Sequence, residues 1–322
     1  MARRTMPRHD TLEQAVALAM HAPSVHNTQP WRWRIAGAGV DLYADPSVAL
    51  PATDPDRRDL LLSCGIALHH LLAALAAQGY HAKAQRLPKV FDPHHVAHID
   101  IGERCIPTPE DLALEAAIMQ RRTDRRRFSA RPVPAEYLHE FAGRAARHGV
   151  VLHEIPVGVP RARLADAMRA AARHHGEGPD YRLELATWSG LRAAEDGVPS
   201  SNAVPPQQGD DEIPSRTFAG GSLRQPAGAD GADAASLIVL GTAGDDRLSR
   251  LRAGEATSEV LLDATRLGLA TCPITEPLEI ADIRAALRRD ILNDELFPQI
   301  VLRVGWSVPG AEHLPQTPRR PV

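Results

Sequence analysis

Lysine is nearly missing from this chain. Lys83 and Lys89 are the only two among 37 basic residues, so the positive charge rests on arginine. Such a bias reads first as the codon preference of a GC-rich genome. Cysteine is scarce as well: Cys64, Cys105 and Cys272 are odd in number and lack CxxC spacing, which excludes a disulfide framework and fits a reducing cytosol. After the first ten residues the chain runs into the amphipathic "TLEQAVALAMHA", with no long apolar h-region or small-residue cleavage site. No apolar run approaches the roughly 20 residues that span a bilayer, so a cytoplasmic protein is expected. A net charge of −3 gives no electrostatic reason to expect nucleic acid or an anionic membrane as partner. There is no G-x-G-x-x-G after a strand and no Walker loop. "HHVAH" (His94 to His98) spaces two histidines by four but lacks the glutamate of H-E-x-x-H, and no metal is expected. The pairs His69-His70 and His174-His175 read as facing different sides of a helix or lying exposed.

What is present is ample for a core. At 322 residues, 43% hydrophobic and 24% charged, the chain suggests about two domain-sized units. It also contains a faint copy of itself. Placing Gly65 of "DPDRRDLLLSCGIALHHLLAALAAQGY" on Gly254 of "AGDDRLSRLRAGEATSEVLLDATRLGL" brings Asp56 onto Asp245, Arg58 onto Arg247, Leu62 onto Leu251 and Gly79 onto Gly268. Both segments read as long helices ended by a glycine C-cap, and each leads on to an alternating strand, "VAHIDIG" and "QIVLRVG". The reading is a duplicated unit with halves at 1–110 and 111–322.

Thr11 is the expected cap of a first helix, while Pro109 with Glu110, and Pro134, open later ones. "WRWRI", "VDLYA", "VVLHEI" and "SLIVLG" are further strands. Helices outnumber strands and the strands lie scattered between them, so the class is α+β. From Glu195 to Asp233 runs a Gly/Pro-rich stretch, either a site-covering lid or a disordered excursion, in which Ile213, Phe218 and Leu223 are apolar anchors.

Three stretches carry chemistry. "APSVHNTQPWRWRI" (Ala22 to Ile35) sets Ser24, His26, Asn27, Thr28 and Gln29 between two prolines and two tryptophans, too polar for core. "RRTDRRRF" spans Arg121 to Phe128, and "GLATCPITE" spans Gly268 to Glu276. Together these resemble the FMN-dependent nitroreductase superfamily, whose members carry R-R-S-x-R-like, P-S-x-x-N-x-Q-P-W and G-L-x-x-x-P-I elements. With the fused halves, the "SCG" helix and the terminal "TPRRPV", the chain looks most like the Acg-like branch of double-length nitroreductase-like proteins. The resemblance covers most of the chain outside 195–233.

That resemblance implies a nitroreductase-like fold. In the family two chains pair and hold each flavin across their interface; here two fused halves would pack as a pseudo-dimer. In the family, the basic element and the P-S-x-x-N element lie in one unit. Here the second half keeps "RRTDRR" and lacks the other element, while the first half keeps "PSVHNTQPW" and has only the broken "ARRTMPR" (Ala2 to Arg8) as a basic candidate. One composite site is therefore expected, with one FMN per chain in a pseudo-dimeric monomer, further homodimerisation being left open.

The resemblance also assigns roles. Arg121, Arg122 and Arg125, with Thr123 among them, and Arg319 or Arg320 would hold the phosphate, whose dianion suits guanidinium groups. Arg126 and Arg127 read as surface. Ser24 and Asn27 would face the ribityl chain and ring edges, with Gln29 behind them. His26 either contacts the flavin or satisfies a backbone carbonyl. Trp31 and Trp33 share one strand face and read as core. Pro273 and Ile274 would lie against a flavin face, with a backbone N–H near Thr275 approaching N5, and Cys272 reads as structural. FMN would take a hydride from NAD(P)H and pass electrons to a nitroaromatic or quinone. The alternative is FMN storage, sequestering or sensing under a closed lid. These two are separated by whether Ile213, Phe218 or Leu223 fills the space above the ring.

Overall fold

A computed structural model describes residues 9–37, 39–190, 195–206, 213–218, 220–227 and 233–322. The basic stretch 2–8 and parts of the 195–233 segment lie outside the described residues. The chain runs α1 (His9–Ala19), β1 (Trp31–Ala36), β2 (Gly39–Ala44), α2 (Arg58–Ala77), β3 (Tyr80–Arg86), β4 (His95–Arg104) and α3 (Pro109–Gln120). It continues with α4 (Ala135–Arg147), β5 (Val151–Ile155), α5 (Val159–Glu177), α6 (Pro179–Thr187), β6 (Ser236–Thr242) and α7 (Arg247–Arg266). It closes with β7 (Ala270–Ile274), α8 (Glu276–Glu279), α9 (Ala281–Leu292) and β8 (Phe297–Gly305). The fold is α+β, built from two antiparallel four-stranded sheets with the same order, β1-β2-β4-β3 and β5-β6-β8-β7.

Between the sheets lie α2 and α7, the most extensively packed pair of elements. They run side by side in one direction. Arg58 pairs with Asp245 near their starts, His69 Nδ1 lies 2.8 Å from Ser258 Oγ, and Ala73 shares a cluster with Leu262. At the closest approach a Cβ on Gly65 would stand 2.1 Å from the Leu251 carbonyl oxygen. One on Gly254 would stand 2.1 Å from that of Leu62. Both obstacles are backbone, so only glycine lets the helices touch. One separation along the chain relates Leu62 to Leu251, Gly65 to Gly254, His69 to Ser258 and Ala73 to Leu262.

The main core gathers around this pair, with Val40, Leu42, Ile99 and Ile101 from the first sheet and Ile238, Leu240, Ile300 and Leu302 from the second. A smaller cluster joins α5 and α9 to the other face of the second sheet through Leu164, Met168, Leu287 and Ile291. Trp31 is buried in the main core and Trp33 packs against it. By length and composition alone α2 could cross a membrane; here every residue of it except Leu72 and Ala76 is buried within the protein. Gly79 (φ 80°) and Gly268 (φ 79°) follow the two helices in the left-handed conformation that a turn out of a helix requires.

Several local expectations change. Thr11 lies within α1 (His9–Ala19) rather than ahead of it. Thr108 forms the capping box ahead of Pro109, and the boundary drawn at 110 falls in the first turn of α3, which packs on both α2 and α7. β3 and β7 were not anticipated. "HHVAH" belongs to the start of β4, where His95 Nε2 and His98 Nδ1 lie 2.9 and 2.7 Å from Asp41 Oδ1. His69 and His70 are both buried and converge on Ser258, because α2 has no exposed side.

Candidate functional site

A cavity partly open to solvent lies where α2, the 23–26 turn, the 123–125 segment and β7 meet, with about 870 Å³ of space when the solvent at its mouth is included. Its walls are mostly apolar, with Leu62 and Ile66 from α2, Met168 from α5 and Ile300 from β8. Of the residues singled out in the sequence, Ser24, His26, Thr123, Arg125, Pro273, Ile274 and Thr275 line it. Thr123 is bridged to Thr271, and Asp124 N–H donates to the Thr271 carbonyl (2.9 Å), which sets the arginine segment beside β7.

The turn before β1 is strained. His26, Asn27 and Gln29 all have positive φ (51°, 54°, 51°), a conformation few non-glycine residues adopt without compensating contacts. Ser24 Oγ accepts from Gln29 N–H at 2.9 Å. Asn27 does not line the cavity: its amide donates to Gly197 O and Pro318 O, and its Oδ1 accepts from Arg319 (2.7 Å). Gln29 is fully buried, donating to Glu195 O and accepting from Arg320 N–H at 2.9 Å. The first-half turn is thus tied to the 195–197 stretch and the C-terminal tail.

Arg121, Arg122, Arg319 and Arg320 are not among the residues that line the cavity; three of them group behind Thr123. Arg121 Nη1 lies 3.5 Å from Thr123 Oγ1, and Arg319 donates to His21 O at 3.0 Å. Among the described residues Arg121, Arg122 and Arg319 have no carboxylate partner, and the Nε atom of each is buried with no partner. Burial, then Arg319, Arg122 and Arg125, push Arg121 down to about 9. Burial and Arg122 push Arg319 down to about 10. Guanidinium groups gathered this way repel one another, and an anion could offset that repulsion. Arg320 is not part of it, because Asp196 holds its guanidinium at 2.6 Å. Arg125 donates to Asn202 O and stacks on Phe218, 4.8 Å from the ring centre. Arg126, read as surface, is buried against Asp124.

The sequence did not reveal Arg216. This buried guanidinium lines the cavity with Ile213, Pro214, Ser215 and Phe218. It pairs with Glu279, stands 3.7 Å from Glu276 and lies 3.2 Å from His26 Nε2. Burial opposes the charge on Glu279, yet Arg216 and His175 hold it down to about 2. Burial and Arg216 hold His26 near 3, so its imidazole is neutral. Its ring meets Phe218 edge-on at 5.8 Å. The anchors Ile213 and Phe218 were the available signal; Leu223 does not line the cavity. Cys272 lines it as a buried thiol whose pKa burial raises. One further cluster, His69, His148 and Glu259, has three ligand-type atoms close together, but Arg147 and His148 already bond the Glu259 carboxylate at 3.1 and 2.6 Å.

Known proteins give this geometry a family. The nitroreductase family model matches residues 118–306. A Mycobacterium tuberculosis protein named "Putative NAD(P)H nitroreductase Rv3131" is 47% identical over 315 residues, covering 98% of this chain and 90% of its own length. From the same organism, "Putative NAD(P)H nitroreductase acg" is 36% identical over 327 residues, covering 99% and 96%. Among solved structures, "a putative nitroreductase from anabaena variabilis" is similar in fold, with a TM-score of 0.50 and 12% identity over 93% of this chain and 73% of that one. The chain belongs to the nitroreductase family.

Proposed function

We propose that the cavity is a single FMN site and that the protein is an NAD(P)H-dependent oxidoreductase acting on a nitroaromatic or quinone-type acceptor. The observation that carries this reading is an apolar cavity walled by Thr123, Arg125 and Pro273–Thr275, behind whose Thr123 stands Arg121, 3.5 Å away and grouped with Arg122 and Arg319 without a carboxylate partner among the described residues. A phosphate would meet the orphaned guanidinium nitrogens, and a flat ring would lie along Ile66, Ile274 and Ile300. The chemistry FMN supplies when bound is hydride acceptance from NAD(P)H and electron delivery to the acceptor. The protein's share is placement: Ser24 and Thr123 offer hydroxyls along the cavity, and Arg125 brings a buried cation beside it. The two sheets and the paired α2 and α7 support reading the chain as a pseudo-dimer of two fused halves, with this site formed from both.

A second reading is favoured by the 213–218 segment. Five of its residues line the cavity, and Arg216 fastens it to Glu279. A flavin covered on its open face would be stored or sensed rather than turned over. Anaerobic addition of NADH and then NADPH to the purified, flavin-loaded protein separates the two. Bleaching reversed by a quinone or nitroaromatic establishes turnover. A flavin reduced by dithionite but by neither nucleotide establishes storage or sensing. A protein that takes up no FMN overturns both.

A further inference from the structure

Two glutamates of the short helix α8 meet opposite surroundings. The Glu279 carboxylate is matched on every side: it pairs with Arg216, accepts from Thr275 Oγ1 at 2.7 Å and lies 3.0 Å from His175 Nε2. Glu276 is buried as well and lines the cavity, yet among the described residues no hydrogen bond reaches its carboxyl group. Arg216 Nε stands 3.7 Å from it, while the Nη atoms of that guanidinium turn to Glu279, Thr275 and His26. One arginine serves two carboxyl groups here, and Glu279 holds it. Burial therefore raises Glu276 above the usual carboxyl range, with the Glu279 charge adding to it and Arg216 opposing. Neighbouring carboxyls driven apart in this way divide into one that stays ionised and one that keeps its proton.

Glu276 is the only carboxyl group among the residues that line the cavity. No other group there is a comparable acid. His26 is neutral, with Nε2 accepting from Arg216, and burial raises the Cys272 thiol. The rest are guanidiniums and serine or threonine hydroxyls, which hold their protons at ordinary pH. Glu276 also lies at the opposite end of β7 from Thr123, which is bridged to Thr271. It is thus remote from the arginine group and beside the 213–218 segment at the other side of the cavity.

We propose that Glu276 is the proton donor to the electron acceptor. The inference rests on the oxidoreductase reading above. A quinone becomes a hydroquinone by taking a hydride, which that reading draws from FMN reduced by NAD(P)H, and one proton. The Glu276 O–H bond breaks as an O–H bond forms on the quinone oxygen. The carboxylate left behind recovers a proton from water at the open mouth of the cavity. A nitro group takes the same pair, hydride and proton, and releases water on becoming a nitroso group. The charged and titratable groups that face Glu276 are Arg216 from the 213–218 segment, Glu279 on its own helix, His175 on α5 and Tyr181 on α6, with His26 beyond Arg216.

The test follows reoxidation of the full-length, flavin-loaded protein after reduction by dithionite, with a quinone and with ferricyanide, which takes electrons and no proton. Glu276→Gln keeps the shape of the side chain and removes its acid. It is expected to slow the quinone reaction about 100-fold and leave ferricyanide unchanged, and Glu276→Asp recovers part of the loss. Infrared spectra of the apoproteins give a readout apart from turnover. Above the ordinary glutamate value of 4.5, a carboxylic-acid C=O band of the wild type is missing from Glu276→Gln, while those of Asp54 and Asp59, also raised by burial, remain. Quinone and ferricyanide slowed alike, a quinone rate unaffected by Glu276→Gln, or no band lost overturns the role of Glu276 and leaves the flavin site standing. Wild-type flavin that dithionite reduces and no quinone reoxidises overturns it too, in favour of storage or sensing. Wild-type protein that takes up no FMN overturns the flavin reading itself, and this proposal with it. Should the variants not fold, the wild type decides: its quinone rate falls as rising pH strips the Glu276 proton, with ferricyanide level. A quinone rate equally level overturns the proposal.

Discussion

The two sides of the α2–α7 pair treat charge in opposite ways. On the cavity side α2 presents Leu62, Ser63 and Ile66, and Arg121, Arg122 and Arg319 have no carboxylate partner among the described residues. The separation that relates Gly65 to Gly254 relates Ile66 to Glu255 and His70 to Glu259 on α7. There Glu255 is clasped by Arg86 through two hydrogen bonds of 2.7 Å, and Arg86 stands at the same separation from Thr275. Glu259 holds Arg147 and His148, with Arg144 at 3.5 Å. One side is neutralised by its own side chains; on the other, three arginines have no carboxylate partner among the described residues. That difference argues for one anion site per chain, on the side where the arginines are unpaired.

The largest effect belongs to what both sides share. Gly254→Ala would drive a Cβ into the Leu62 carbonyl, and backbone cannot yield as a side chain does. A loss above about 4 kcal/mol, or failure to fold, is expected in denaturant titration. Survival with little loss would mean that the helix pair does not organise the molecule. Next comes the neutralised side. Glu255→Ala strips Arg86 of its partner and should cost about 3 kcal/mol, with FMN affinity untouched. Replacing both, Glu255→Ile with Arg86→Thr, installs the residues found on the cavity side and should recover most of that stability. A double variant as unstable as the single would show that the pair stabilises in its own right.

Much of this asymmetry could be read from the sequence, because motif elements are local. The strings around Ser24, Arg121 and Pro273 point to one composite site, and the repeat sets Gly65 against Gly254 without showing that the two helices touch there. What could not be read is long-range pairing. Arg216 sits in a loop with no periodicity, and its partners Glu276 and Glu279 lie far along the chain. Asn27 looked like a ligand, but the tail and the 197 backbone claim its amide. Arg320 and Arg319 are adjacent, and only Asp196 separates their fates. β3 and β7 carry polar or proline residues that hide strand alternation. His69 and His70 both turn to Ser258, which no periodicity marks because a helix buried on every side leaves no pattern.

A middle-sized effect sharpens the contrast by sign. Arg121→Ala removes a buried cation that no carboxylate balances, so the apoprotein should be as stable or more stable, while FMN weakens by about 10- to 100-fold. Arg144→Ala on the other side leaves Glu259 and Asp263 short of a partner and should destabilise by about 3 kcal/mol, with no change in flavin affinity. Parallel calorimetry and flavin titration of the two variants check both halves of this expectation. Two arginine deletions with the same sign on stability would erase the distinction between the sides.

The smallest effect is a slope against pH. His26, in the cavity wall, is held near 3 by burial and Arg216, against an ordinary value of 6.5. Unfolded, this histidine takes a proton as pH falls through about 6.5; folded, it stays neutral until about 3. The unfolded state therefore binds more protons in that window, and the stability from the neutral buried ring is complete above 6.5 and lost on acidification. Each such group contributes about 1.4 kcal/mol per pH unit. Asp54, raised to about 6 by burial, pulls the other way below that pH, so the wild-type slope alone is ambiguous. The difference between wild type and His26→Gln isolates the histidine: between pH 6.5 and 5 the variant should lose stability less steeply by about that amount. Parallel curves would mean that His26 is protonated in the folded protein, and Arg216 could not then lie against its Nε2.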